Sequence, residues 1–355
     1  MTPRTVIVLA AATAVAVAAA AASVNLDRGY VERGGGGPVF PGLMDKIDTV
    51  AKIAVDHKDG ETVLVRGSGG VWTVPASDDY PASLAQAQKI ILQVAGLKYL
   101  EAKTANKDRY ARLHLEDMKL KDTQARRVRL FDGEGNGLAE LIVGKKRYNL
   151  PGTQAEGAYI RKPGDPQTWL ASGEIDVETQ LKPWLRNKLL NIREEDVKTI
   201  HIRHPGGEVI NISKDDRKDK QFKLRDIPEG KKLRYDSDPT NIANVVEDLE
   251  LDDARKADKI DFPADQTLAA TYTSWSGLTA ELRLVQKGED NWLTVSVSAD
   301  PNAPAPKEKG AKTAAEIAKQ VNEQADGWVF KIPDFKASRL RRDLAEMLID
   351  DKPGS

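Results

Sequence analysis

The side chains with chemical reach in this 355-residue chain are four histidines, several runs of adjacent acids and one glycine-rich acidic loop. Cysteine is absent, which removes thiolate catalysis, Cys-ligated metals, disulfides and a lipoprotein-type anchor together. The histidines are His57, His114, His201 and His204. Of these, only His201 and His204 lie close in sequence. On a strand, residues three apart point to opposite faces, so they do not make a zinc pair. Asp132-Gly133-Glu134-Gly135-Asn136-Gly137 carries oxygen ligands at alternate positions and a glycine sixth, like the first half of a calcium loop. Its twelfth position is Val143, where such a loop needs a bidentate glutamate, so a tight hairpin turn accounts for the glycines. The chain has no G-x-S-x-G elbow and no P-loop, and Gly67-Ser68-Gly69-Gly70 reads as a turn between strands. Glu194-Glu195-Asp196 and Asp252-Asp253 read as solvated surface acids. No catalytic, cofactor-binding or metal-binding residue emerges, and the expectation is a protein that binds rather than catalyses.

The tryptophans are more informative. Trp72, Trp169, Trp184, Trp292 and Trp328 fall in strand or helix patterns and read as core. Trp275, in Thr273-Ser274-Trp275-Ser276-Gly277, falls at a hairpin tip and is the candidate contact for a partner or a sugar.

The elements that must hold these residues begin with Thr5 to Ala22, an uncharged, alanine-rich run opened by Val6-Ile7-Val8-Leu9. Eighteen helical residues rise roughly 27 Å, close to a bilayer's hydrocarbon thickness. Residues 1–26 are therefore expected to form a signal anchor or transmembrane helix. Arg4 before the run and Ala20-Ala21-Ala22 after it also fit a cleaved signal peptide. Either way the bulk of the chain is exported. Residues 27–47, with Gly34 to Pro38, read as a Gly/Pro linker. A balance of 53 Lys plus Arg against 54 Asp plus Glu argues against a nucleic-acid footprint.

The remainder reads as one pattern written twice, over 48–193 and 194–350, with 351–355 a tail. Each copy opens with a three-strand meander: Val50 to Val55, Thr62 to Val65 and Val71 to Val74 in the first, Val197 to Ile202, Val209 to Ile212 and Gln221 to Leu224 in the second. A helix follows in each, starting at Pro81 with Leu84, Ala87, Ile91 and Val94 inward, and at Asp238-Pro239 with Ile242, Val245 and Leu249 inward. More strands come next, and then a closing helix: Val177, Leu181, Trp184 and Leu185 in copy one, Ala337, Leu340, Leu344 and Met347 in copy two. The second copy carries an insertion, 301–323, read as a mobile Pro-rich loop and a short helix from Ala314. Lys214 to Lys220, seven charged residues in succession, reads as a solvated turn. The expected fold is α+β: two tandem repeats of a twisted antiparallel sheet with packed helices.

Four features together resemble the DUF4340 family. They are the N-terminal apolar run, Trp72-Thr73-Val74-Pro75 with its following helix, Leu141-Ile142-Val143-Gly144-Lys145 before Tyr159-Ile160-Arg161, and Gly327-Trp328-Val329-Phe330-Lys331-Ile332-Pro333 before the last helix. The resemblance implies a bacterial envelope protein, on the inner membrane with its bulk extracytoplasmic, beside the permease and ATPase of a gliding-motility-type ABC transporter. It implies no catalytic residue and no cofactor. The alternative is a periplasmic module that captures a ligand or envelope polymer in the groove between the repeats.

Overall fold

The computed structural model describes residues 36–120, 122–150, 155–306 and 310–351. It is a mixed protein of mostly antiparallel sheet with a few helices, and it divides into two compact units. The anchor expected over 1–26 lies outside the described residues, and among those residues no helix is long and apolar enough to cross a membrane. One unit comprises residues up to Val74 together with Ala82–Gln180; the other comprises Pro75–Pro81 and the chain from Leu181 onward.

Eight strands of the first unit are β1 (Val50–His57), β2 (Gly60–Arg66), β3 (Trp72–Val74), β4 (Lys98–Ala102), β5 (Arg126–Asp132), β6 (Gly137–Arg147), β7 (Gly157–Arg161) and β8 (Thr168–Ser172). They run in the order β3-β2-β1-β5-β6-β7-β8-β4 with antiparallel pairings. The alternation seen in the sequence places Ile53, Leu64 and Leu130 across from one another on one face, all fully buried. The opposite face is charged: Asp56 accepts from Arg127 at 2.9 Å and from Arg129 at 3.1 Å, on the neighbouring strand. Helix α1 (Leu84–Gly96) begins at Ser83, whose hydroxyl accepts from the Gln86 N–H, two residues beyond the expected Pro81 start. It buries Ala87, Ile90, Ile91, Val94 and Ala95 and leaves Leu84 exposed.

The expected linker is not slack from residue 36 on. Gly36 donates to Tyr99 O, Tyr99 to Gly37 O and Val39 to Leu97 O, each at 2.9 Å, so this stretch lies along β4 as an extra edge. Val39 and Leu43 are buried beneath it. Backbone hydrogen bonding, which glycine and proline content does not forbid at an edge, overrides the compositional reading.

Asp176 ties α1 to the sheet. Its carboxylate accepts from Lys146 of β6 at 2.7 Å and from Lys89 of α1 at 3.4 Å, and its N–H donates to Gln93 of α1 at 3.1 Å. The Lys146 hydrogen bond holds the Asp176 carboxyl below its ordinary value of 3.8. A carboxyl depressed in the folded state contributes stability that is present above its unfolded value and lost as pH falls through the folded one. Asp176→Asn should therefore be less stable than the parent at pH 7, by about 1 kcal/mol or less for a pair this exposed. That difference should shrink as pH drops below about 4, read by urea unfolding across the acid range.

The second unit's main sheet comprises β9 (Val197–Arg203), β10 (Val209–Ser213), β11 (Lys223–Leu224), β12 (Asp253–Lys256), β13 (Leu268–Ser274), β14 (Leu278–Lys287), β15 (Asp290–Ala299) and β16 (Trp328–Lys331). The order is β11-β10-β9-β13-β14-β15-β16-β12, again antiparallel. Ile212, Ile200, Tyr272 and Ala280 stand across from one another on its buried face. The Tyr272 hydroxyl donates to Ile242 O of helix α2 (Asp238–Ala243) at 2.9 Å, and full burial pushes its phenol pKa up. Helix α3 (Ala314–Ala325) falls where the insertion helix is expected, started by a reciprocal Thr313–Glu316 capping box.

Three expected helices come out differently. The one expected from Asp238 to Leu249 ends at Ala243, and Leu249 lies in the short strand Leu249–Glu250. Lys182–Trp184 is one 3-10 turn, because Pro183 has no N–H to carry a helix forward, although Trp184 is fully buried as expected. The last helix is broken into α4 (Asp334–Arg341) and a turn Leu344–Met347, where Asp343 caps a fresh start by accepting from the Glu346 N–H.

Residues Pro75–Pro81 leave the first unit's chain and are built into the second. Ser77 and Tyr80 are fully buried there. Ser77 donates to Asp253 at 2.7 Å, and the Tyr80 ring meets Trp328 edge-on at 4.9 Å between centroids.

Candidate functional site

The hairpin between β13 and β14 turns through Ser274-Trp275-Ser276-Gly277, as the sequence predicts for Trp275. Gly277 has φ +86°, a conformation that side chains other than glycine rarely adopt, and a Cβ there would lie 2.5 Å from the Ala303 methyl. The tip is pinned from within. Ser274 Oγ accepts from the Leu278 N–H at 2.9 Å and lies 2.9 Å from Ser276 Oγ. It is also pinned by the insertion loop, where Asp300 N–H donates to Gly277 O at 2.8 Å and Ala303 N–H to Asp300 O at 2.9 Å. Residues 300–303 are thus folded against the hairpin rather than free.

Trp275 is half-buried rather than projecting. Its N–H donates to Asp196 O at 2.8 Å, the Lys198 ammonium stands 4.8 Å from its ring centroid, and its indole N–H is buried without a hydrogen-bond partner. A desolvated donor of this kind costs about 1–3 kcal/mol.

Beside the tip is a cavity of about 540 Å³ lined by Arg193, Asp196, Arg217, Ser276 and the Pro304 to Pro306 stretch. Asp196, the last residue of the 3-10 turn Glu194–Asp196, is mostly buried. One carboxylate oxygen accepts from Ser276 Oγ and the other is ion-paired with Arg217 at 2.8 Å. Ser276 therefore donates a hydrogen bond to a carboxylate that is also ion-paired with a guanidinium. Among the described residues no histidine lines this cavity. The arrangement offers a guanidinium, a carboxylate and a hydroxyl beneath an apolar proline wall, which is the layout of a binding pocket.

The sequence marks Trp275, the acidic triplet and the insertion separately, and the structure brings them to one edge. It misses Arg217 and Ser276, because a run of charges at 214–220 looks uniformly solvated. Within that run Lys214 is buried, donates to Glu194 at 2.8 Å and lies 4.3 Å from the Phe222 ring centroid. The only signal for this was the apolar strand immediately preceding it.

The other candidates resolve into turns and isolated rings. Asp132 Oδ1 accepts from the N–H groups of Glu134 at 3.0 Å and Asn136 at 2.8 Å, closing the β5–β6 hairpin, and hydrogen bonding led by the Asn136 side chain holds its carboxyl below the ordinary range. His57 accepts from the Asp59 N–H, His201 pairs with Asn211, His114 ends a helical turn at φ +56°, and His204 Nε2 is buried without a partner. Among the described residues no three His, Asp or Glu side chains are placed to hold a metal ion.

Two large, mostly antiparallel sheets with few helices define a mixed α and β chain, with a cavity at one hairpin edge. The family model for the domain of unknown function DUF4340 matches residues 72–271, more than half of the chain, and the protein belongs to that family. The match starts at Trp72 on β3 and ends within β13, so one continuous span crosses from one unit into the other. No curated protein and no solved structure matches the chain.

Proposed function

We propose that this chain is a non-catalytic, membrane-anchored extracytoplasmic accessory protein that works beside an ABC-type transporter, with the Trp275 edge of the second unit as its partner contact. The observation that carries the contact is the half-buried indole beside a cavity lined by two arginines, a carboxylate and prolines, with a donor that nothing in the described chain satisfies. Tryptophan and arginine are enriched among the residues that carry partner affinity at interfaces. The apolar run at Thr5–Ala22 and the setting implied by the family resemblance support the membrane and transporter parts.

We read the two units as tandem copies. The support is topological: the strands of each sheet follow the same spatial order, with β1 to β8 and β9 to β16 taking equivalent places.

A photo-crosslinking amino acid at position 275 of the full chain tests the contact. The expected product is a covalent adduct with a permease subunit. Crosslinking to envelope polymer alone would instead favour a ligand-capture module, a reading that the 540 Å³ cavity also accommodates. Trp275→Ala should abolish partner binding while costing only about 1 kcal/mol of folding stability, the ordinary size for a half-buried site.

A further inference from the structure

On the second unit, away from the Trp275 edge, α4 and the turn after it form a cleft of about 490 Å³. Arg339, Arg341 and Arg342 line it, with Ser338, Asn241 and the carboxylates of Asp238 and Glu346. Three guanidiniums in one small cleft are costly unless something negative offsets them. Two of the three are offset within the chain: Arg342 pairs with Asp238, and Arg341 pairs with Asp334 at 3.3 Å and also bonds Asn291. Arg339 has no ion pair among the described residues, although Glu346 shares the cleft, and the exposed Phe335 ring stands 5.6 Å from its guanidinium carbon. The cleft also contains an acceptor in need of a donor. Asp238 is only 2% exposed, and its second carboxylate oxygen is buried with no hydrogen-bond partner.

We propose that this cleft binds a phosphate ester, with the phosphoryl oxygens held by Arg339 and its neighbouring guanidiniums and a hydroxyl of the ester donating to Asp238. Arginine forks fit carboxylate and phosphate alike. The number of donors separates the two. The Arg339 guanidinium, the Asn241 amide and the N–H groups that Arg341 and Arg342 do not give to their own partners exceed what the two oxygens of a carboxylate can use, and they suit a tetrahedral group with three free oxygens. The ester is either a free small molecule or the headgroup of a phospholipid.

The test is calorimetric titration of the full chain in mild detergent with glycerol phosphate, with hexanoyl lysophosphatidic acid, which keeps a free glycerol hydroxyl, and with glycerate. The proposal expects saturable binding of one phosphate ester per chain, weakened at least tenfold in Arg339→Gln and less in Arg339→Lys, with thermal unfolding unchanged. Tighter binding of the lysophosphatidic acid than of glycerol phosphate by tenfold or more assigns a lipid headgroup; equal binding assigns a free ester. The proposal is overturned by no saturable binding of either phosphate probe at millimolar concentration. Glycerate binding as well as glycerol phosphate overturns it too, and so does equal binding by wild type and Arg339→Gln. Should Arg339→Gln unfold, Asn241→Ala at the cleft wall carries the same comparison.

Discussion

Gly144→Val should unfold the first unit's loop from its sheet and lower that unit's stability by about 3 kcal/mol, the upper end of the usual range for overpacking. A Cβ on Gly144 would lie 2.1 Å from the Leu113 carbonyl oxygen and 2.8 Å from that of His114. Both contacts are to backbone, so no side chain can rotate to relieve them. The loop cannot retreat freely either. Tyr110, Leu115, Ala125 and Ile142 make a buried cluster with Leu113, Met118 and Tyr159 packed against it. Arg161 donates to Leu115 O at 3.3 and 3.2 Å and lies over the Tyr110 ring, and the Tyr110 hydroxyl donates to Pro166 O at 2.6 Å. Displacing the loop breaks all of these at once. For a unit of this size the shift should be about 2–4 °C in Tm per kcal/mol, accompanied by new protease cleavage between residues 103 and 125. Gly144→Ala should follow the same course with a smaller loss. The β6–β7 register shift between Val143 and Lys146 shows where the strand already bends to admit the loop.

Tyr80→Ala should cost the second unit about 3–5 kcal/mol, as truncation of a buried aromatic does. Tyr80 is fully buried, edge-on to Trp328 and, at 6.0 Å between centroids, to Phe330. Its hydroxyl donates to Arg186 O at 3.1 Å and accepts from Gln324 Nε2 at 2.8 Å. Gln324 is itself buried and also reaches the Arg186 and Lys188 carbonyls, both at 3.0 Å. Alanine would leave a cavity among aromatic rings and withdraw a partner from this network. Tyr80→Phe keeps the ring and isolates the polar part, with an expected loss of about 0.5–1.5 kcal/mol, the net worth of one hydrogen bond, because the Arg186 carbonyl keeps Gln324 as a donor. Urea unfolding of both variants separates the two contributions. A loss confined to the first unit's transition would show that residues 75–81 are not part of the second.

The strand framework was legible because its large apolar residues alternate toward the interior: Ile53 and Val55 on β1, with the small Ala54 also buried between them, and Ile200 and Ile202 on β9. The Leu141 to Lys145 motif was recognisable as a pattern, but its glycine had no explanation until the carbonyls of residues 113 and 114 were found against it. Helix lengths were less legible. Spacing at 177–185 is helical, yet Pro183 overrides it, and the 337–347 pattern conceals a cap at Asp343. The 75–81 excursion left no trace in periodicity, since Tyr80 finds its partners more than a hundred residues away. The site was half legible. Trp275 stood out by its place in a turn, whereas Asp196, Arg217 and Ser276 are brought together only by tertiary folding.

The proposed accessory role is tested most directly by purifying the tagged full chain from its own membranes in mild detergent and identifying what accompanies it. The account predicts a permease and an ATPase recovered in fixed proportion with the chain. Recovery of the chain alone, or in the soluble exported fraction with Ser23 as its new N-terminus, would contradict it.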